Sequence, residues 1–149
     1  MKSAGLALFC LLAALSTAAQ TAKQHVNLGM SIEDFAARYD LWRADTPETL
    51  AASIAAHEAA TGRHVSIQLD VEGRKTKFVF DKGSLCEMEI TAGNTFAHEL
   101  QVLTAQLGTS QVSNADQAIW DRKDGTRFTL ASRAGMGVLL IAPSPVVSR

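Results

Sequence analysis

The fold is decided by the stretch HVSIQLDVEGRKTKFVF at residues 64–80. Its first half alternates apolar and polar side chains from Val65 to Val71, which is the period-two pattern of a half-buried β-strand. Glu72-Gly73 is a turn signal, and the second half places Phe78 and Phe80 on one side of the next strand. The stretch therefore predicts two antiparallel strands joined by a tight turn.

A third strand extends this predicted hairpin. Asp81-Lys82-Gly83 is a turn of the glycine-containing kind, and residues 85–91 follow it. The alternation in this strand points Glu87 and Glu89 outward, and it turns Cys86 inward with the apolar residues that follow. We therefore expect a three-stranded antiparallel meander, with Cys86 on its buried face.

A second meander is predicted near the C-terminus, with strands at residues 117–121, 126–132 and 136–142. Lys123-Asp124-Gly125 is a strong hairpin signal between the first two of them. The last strand is an unbroken apolar run that Pro143 ends, so we expect it to lie in the centre of its sheet.

Three segments carry the signals of helices. Ser31 is a capping residue for a helix over residues 31–40, and Thr46-Pro47 begins a second helix that extends to residue 61. The third has apolar residues at helical spacing and ends at Gly108, where glycine is a common stop.

In the second helix an apolar stripe at helical spacing is formed by Leu50, Ala51, Ile54, Ala55 and Ala59. We expect this stripe to face the core, and because it is mostly alanine we expect the helix to pack close to its neighbour. Helices that stand apart from antiparallel strands are typical of the α+β class. The sequence therefore predicts two N-terminal helices, a three-stranded antiparallel meander, a helix and a second three-stranded antiparallel meander.

The first residues have the three regions of a secretory signal peptide. Met1-Lys2 is a positive start, residues 5–15 are almost wholly apolar, and small side chains follow at 17–19. This apolar run is too short to cross a hydrocarbon core of ~30 Å as a helix. We therefore expect a signal peptide at 1–19, a single α+β domain over 20–149 with a short frayed C-terminal tail, and an exported protein, periplasmic or secreted.

The composition is that of one globular domain. The chain has 149 residues, of which 47% are hydrophobic and 19% charged, and its formal net charge is −1. These values exclude a disordered chain, and they give no electrostatic reason to expect binding to nucleic acid. Removal of the signal peptide leaves Cys86 as the one cysteine, so we expect no intrachain disulfide and no later membrane span.

Two stretches resemble a known family. Leu28-Gly29-Met30-Ser31-Ile32-Glu33-Asp34-Phe35 resembles the opening helix of small exported domains similar to the outer-membrane assembly lipoprotein BamE, of the BamE/SmpA type. Phe80-Asp81-Lys82-Gly83-Ser84-Leu85, with a following helix and then Trp120 before Asp124-Gly125, resembles a second recurring pattern of these domains. The chain departs from this pattern at Ser110, where the pattern has proline, and it has no lipid-anchor cysteine. The resemblance implies a periplasmic α+β domain that binds or supports other envelope proteins.

No sequence motif assigns a catalytic residue, a cofactor-binding residue or a metal ligand. His57-Glu58 and His98-Glu99 both begin like the H-E-x-x-H zinc helix, but the second histidine is missing from each. Convergence of His57, His64 and His98 in space is what a metal-dependent hydrolase would need. We therefore expect no cofactor and no enzymatic activity, with the metal-dependent hydrolase kept as an alternative.

Two aromatic residues near the first helix, Tyr39 and Trp42, are candidate interaction anchors, because aromatic side chains at surface rims often carry binding energy. The sequence thus favours a non-catalytic protein-interaction or envelope-support domain whose partner is another envelope protein. A small-ligand-binding domain, using a groove between the leucine-rich third helix and the sheet, is the other alternative.

Overall fold

The computed structural model describes residues 26–145, so the predicted signal peptide and the tail that was predicted to be frayed both lie outside the described residues. These residues contain three helices, which are α1 (Ile32–Arg38), α2 (Pro47–Ala60) and α3 (Phe96–Leu107). The strands are β1 (Val65–Val71), β2 (Arg74–Asp81), β3 (Ser84–Thr95), β4 (Val112–Ser113), β5 (Gln117–Asp121), β6 (Thr126–Arg133) and β7 (Met136–Pro143). No helix between residues 26 and 145 has the length and apolar character needed to cross a membrane.

The seven strands form one antiparallel sheet in the order β1-β2-β3-β7-β6-β5-β4. The α+β class is confirmed, but the prediction of two N-terminal helices with two separate three-stranded meanders is wrong. The two halves are joined because β3 pairs with β7, which places Ile90 opposite Leu139. The apolar strand β7 lies between β3 and β6, so its backbone N–H and C=O groups can pair on both edges. Most of its side chains are buried, as expected for a central strand.

The strand β3 is longer than the sequence predicts. The sequence predicts a strand over residues 85–91, yet the strand continues to Thr95, which pairs with Met136 after an irregularity in register. Gly93 adopts a φ of 78°, which glycine tolerates without strain, so it bends the strand rather than ending it. Thr95 then caps α3 by accepting a hydrogen bond from the backbone N–H of His98 at 3.2 Å.

The core lies between one face of the sheet and the three helices. Cross-strand register aligns one row of side chains over six strands, and each member is at most 2% exposed: Ile67, Phe78, Met88, Ile141, Phe128 and Trp120. Phe35 of α1 packs against this row and its neighbour, with ring centroids 4.7 Å from Phe78 and 4.9 Å from Phe80. Burial of side chains of this size contributes about 1.5–3 kcal/mol each.

The chain segment before α1 is held against the β2–β3 turn. The backbone N–H of Gly29 donates to the carbonyl of Leu85 at 2.7 Å, and the N–H of Leu85 donates to the carbonyl of Met30 at 2.9 Å. Ile32 donates to the carbonyl of Gly83 at 2.9 Å. The two stretches of the family resemblance therefore pack against each other and fix the position of α1.

Candidate functional site

The helix α2 presents small side chains to the core and larger ones to solvent. Its buried residues are Ala52, Ser53, Ala56 and Ala59. Leu50 and Ile54 are 49% and 53% exposed, although both were expected to face the core. The expectation of a mostly alanine core face that includes Ala59 is confirmed, but the placement of Leu50 and Ile54 in the core is wrong.

The reason lies in the distribution of apolar residues around α2. Alanine, leucine and isoleucine occupy nearly every side of the helix, so the periodicity does not select one face. The face rich in alanine lets the helix approach β1 closely, and close packing is favourable in a dense core. The helix is fixed at its start by a capping box in which the side chains of Thr46 and Thr49 bond each other's backbone N–H groups.

Trp42 lies at the surface beside α2 and is 40% exposed. Its ring meets that of His57 edge-on, with centroids 5.0 Å apart and planes at 79°. The Nδ1–H of His57 donates to the backbone carbonyl of Ser53 at 2.8 Å, which leaves Nε2 of this imidazole for another partner. We refer to Trp42, Leu50, Ile54 and His57 as the α2 surface patch.

A broad groove of about 800 Å³ runs along the same helix, and it is lined by Ser53, Ile54, His57, Glu58, Thr61 and Arg63. The lining of this groove includes the apolar side chain of Ile54, the imidazole of His57 and the opposite charges of Glu58 and Arg63. Such a mixture suits a protein surface better than a single small charged molecule.

Tyr39, the other candidate anchor, has different surroundings from Trp42. Its ring packs 4.8 Å from Phe35 and 6.0 Å from Phe78, centroid to centroid, at the margin of the core. Burial raises the pKa of Tyr39 to about 12, although the positive charge of Arg38 acts in the opposite direction. The ring of Tyr39 therefore stabilises the fold around α1, whereas Trp42 is the aromatic residue presented to solvent.

The three histidines have separate neighbours. His57 lies on α2 and contacts Trp42. His64 precedes β1 and lies 3.7 Å from the carboxylate of Asp81. His98 is exposed in the first turn of α3. Among residues 26–145, no group of three or more His, Cys, Asp or Glu side chains is placed to hold a metal ion.

Cys86 is half-buried, so the prediction that it faces the core is wrong. A β-bulge is responsible: Phe80 pairs with Leu85 and Val79 pairs with Glu87, which leaves Cys86 as the extra residue. Its Sγ donates to the carbonyl of Val79 at 3.4 Å. Partial burial raises the pKa of the Cys86 thiol, and the negative charge of Asp81 raises it further.

A charged cluster on the sheet is centred on Glu89. Lys77, directly opposite in β2, lies 3.0 Å from its carboxylate, as the cross-strand pairing suggests, and Arg133 donates to the same carboxylate. Burial acts to raise the pKa of Glu89, but the hydrogen bond from Lys77 and the charge of Arg133 outweigh it and hold that pKa below its usual range. These groups line a second groove, of about 630 Å³, over β1, β2 and β3, and Glu48 and Thr49 at the start of α2 line it too.

Sequence reasoning missed a buried carboxylate in α3. Glu99 is 2% exposed, and its Oε1 accepts a hydrogen bond from the side-chain Nδ2 of Asn94 at 2.9 Å. Because Glu99 follows Phe96 by three residues, it lies on the core face of the helix. The glycine at position 137, within an otherwise apolar strand, is the signal that could have indicated a side chain packed closely above it.

The chain forms a single antiparallel sheet with helices on one face and an apolar patch on the outer side of α2. Comparison with protein-family models, with curated proteins and with solved structures found no match. The class that fold and surface define is an α+β protein with an exposed apolar helix face.

Proposed function

We propose that this chain is a non-catalytic protein-interaction domain that acts through the α2 surface patch. The observation that carries the proposal is the orientation of α2, which buries alanines and exposes Leu50 and Ile54 beside Trp42. Large apolar side chains that cluster on a surface mark binding sites more often than isolated ones do.

The chemistry of the patch defines the partner. Leu50 and Ile54 lie four residues apart on one helix face, and they offer an apolar ridge of one turn. Trp42 is a large, rigid anchor, and His57 offers a free ring nitrogen at the edge of the ridge. The partner is a protein that presents an apolar helix or loop with a hydrogen-bonding group at its margin.

We place this partner in the bacterial envelope. The support is the signal-peptide pattern of residues 1–19 and the resemblance of residues 28–35 and 80–85 to BamE-type domains. Mass spectrometry of the protein recovered from outside the cytoplasm should find a chain that begins near Gln20. Recovery of an intact Met1 in exported material would contradict this localisation.

Site-specific photo-crosslinking in cells tests the interaction. A crosslinking amino acid at position 54 should capture a discrete partner, and the same amino acid at position 112 is the matched control, since Val112 is 49% exposed at a distant edge of the sheet. Trp42→Ala and Leu50→Asp should each abolish the crosslink from position 54. Capture at position 112 alone, or a crosslink unaffected by both substitutions, would overturn the proposal.

The alternative of a metal-dependent hydrolase has its own test. A ligand at 100 times its dissociation constant stabilises a fold by about 2.7 kcal/mol, which raises the melting temperature by several degrees. We expect zinc to leave the melting temperature of the chelator-treated protein unchanged. A rise that His57→Ala or His98→Ala removes would favour the enzyme over the interaction domain.

A further inference from the structure

The two edges of the sheet differ in how their backbone groups are used. At the β4 edge, the side chain of Gln111 takes the place of a strand: its Nε2 donates to the carbonyl of Asp121 at 3.2 Å, and its Oε1 accepts from the N–H of Asp121 at 2.8 Å. The backbone N–H of Gln111 donates to the carbonyl of Ile119 at 2.9 Å. These bonds extend the cover of β5 beyond β4, and β4 itself has only two residues, so this edge offers little backbone to a further strand.

The opposite edge is β1, a regular strand of seven residues. Glu72 and Gly73 both have positive φ, 52° and 79°, as a two-residue type I′ turn requires, and this makes Val71 and Arg74 a hydrogen-bonded pair. Because hydrogen-bonded and non-bonded pairs alternate, the backbone groups that point away from β2 belong to Ser66, Gln68 and Asp70. Within the described part of the chain, no backbone group of another residue hydrogen-bonds to these outward groups.

The apolar residues of β1 are placed symmetrically about Gln68, so two antiparallel copies of the strand can align them. In an antiparallel pair centred there, Val65 lies opposite Val71 of the second copy and Ile67 lies opposite Leu69 of the second copy. The apolar side of the strand therefore continues from one copy to the other without a break. The outward backbone groups of Ser66, Gln68 and Asp70 also fall into the hydrogen-bonded positions of that pair.

The charges at the two ends of β1 agree with the same register. Arg63 and His64 precede the strand, while Asp70 and Glu72 lie at its far end. An antiparallel pair centred on Gln68 places His64 opposite Glu72 of the second copy, with Arg63 next to it. Opposite charges across a strand pair are favourable, and a parallel arrangement would place like charges together.

We propose that the chain forms a symmetric dimer by antiparallel pairing of β1 with β1 of a second copy, centred on Gln68. The two sheets become one continuous sheet. The occupant of this edge is thus a second copy of the chain.

The dimer is tested by light scattering coupled to size-exclusion chromatography on the purified chain, with the mass of one chain taken from mass spectrometry. We expect a particle of twice that mass. Because a two-fold axis brings position 68 against itself, Gln68→Lys and Gln68→Glu should each give monomers by placing like charges in contact. Val112→Lys is the matched control on the covered edge and should remain a dimer.

An equal mixture of the Gln68→Lys and Gln68→Glu chains provides the decisive measurement. Opposite charges then face each other at position 68, so we expect the double mass to return in the mixture alone. A wild-type monomer at the highest soluble concentration would overturn the proposal. Dimers that persist in both single variants, or a mixture that stays monomeric, would do the same, since either result excludes pairing centred on Gln68.

Discussion

The side chain of Glu99 occupies the space next to Gly137, and its Cγ lies 3.0 Å from the position that a Cβ on Gly137 would take. The Cβ of Glu99 is 3.1 Å from the same position. The absence of a side chain at residue 137 is therefore what allows α3 to lie so close to β7. This contact helps to fix the helix over the central strands of the sheet.

Gly137→Ala tests this contact. The added methyl group must push Glu99 away by a few tenths of an ångström, and overpacking of this kind costs about 1–3 kcal/mol of unfolding free energy. Urea unfolding followed by circular dichroism measures the loss. The double variant Gly137→Ala/Glu99→Ala removes the obstructing side chain, so its loss should be smaller than the sum of the two single losses. Additive losses would contradict the contact.

A second prediction concerns the orientation of α2. Ala56 is fully buried against the core, so Ala56→Leu should lower the free energy of unfolding by about 1–3 kcal/mol. Ile54→Ala, on the exposed side of the same helix, should change it by less than about 0.5 kcal/mol. Urea unfolding of the two variants compares them directly. A larger loss of unfolding free energy for Ile54→Ala than for Ala56→Leu would indicate that Ile54 lies in the core.

Local elements of this fold could be read from the sequence because their signals are local. The alternation from Val65 to Val71 and the turn at Glu72-Gly73 correspond directly to the β1–β2 hairpin. The pairing of Ile90 with Leu139 could not be read in this way, because residues far apart in the chain leave no shared periodic signal. The single sheet was therefore missed, although the apolar run of β7 indicated a central strand.

The surface residues also divide into those that the sequence predicts correctly and those that it does not. Trp42 could be selected as a candidate anchor because it follows the first helix beside the charged Arg43, whereas the helical spacing of Leu50 and Ile54 predicts that they face the core, which is wrong. Apolar residues surround α2, so its sequence does not determine which side faces the core. The rotation of the helix about its axis is determined by which side packs most closely on the sheet. Cys86 was misplaced for another reason, since one extra residue in a bulge reverses the expected alternation of faces.

The thiol of Cys86 should react slowly in the folded protein. Its pKa is raised by burial and by the charge of Asp81, so less thiolate is present at a given pH than in the unfolded chain. The rate of alkylation, followed for this cysteine by peptide mass spectrometry, should therefore rise at a higher pH in the native protein than in urea. Asp81→Asn removes the negative charge and should speed the native reaction. Equal pH profiles for folded and unfolded protein would contradict the environment described for Cys86.

The last prediction uses Tyr39, which is the one tyrosine in the chain, so ultraviolet absorbance reports its ionisation directly. Burial raises its pKa from 10.0 to about 12. Because the folded pKa lies above the unfolded one, the fold favours the protonated phenol: this stabilisation is complete below pH 10 and is lost as the pH rises towards 12. Rapid pH-jump absorbance on the native protein should give a midpoint near 12, with the urea-unfolded chain near 10 as the control. A native midpoint equal to that in urea would show that Tyr39 does not pack against Phe35 and Phe78.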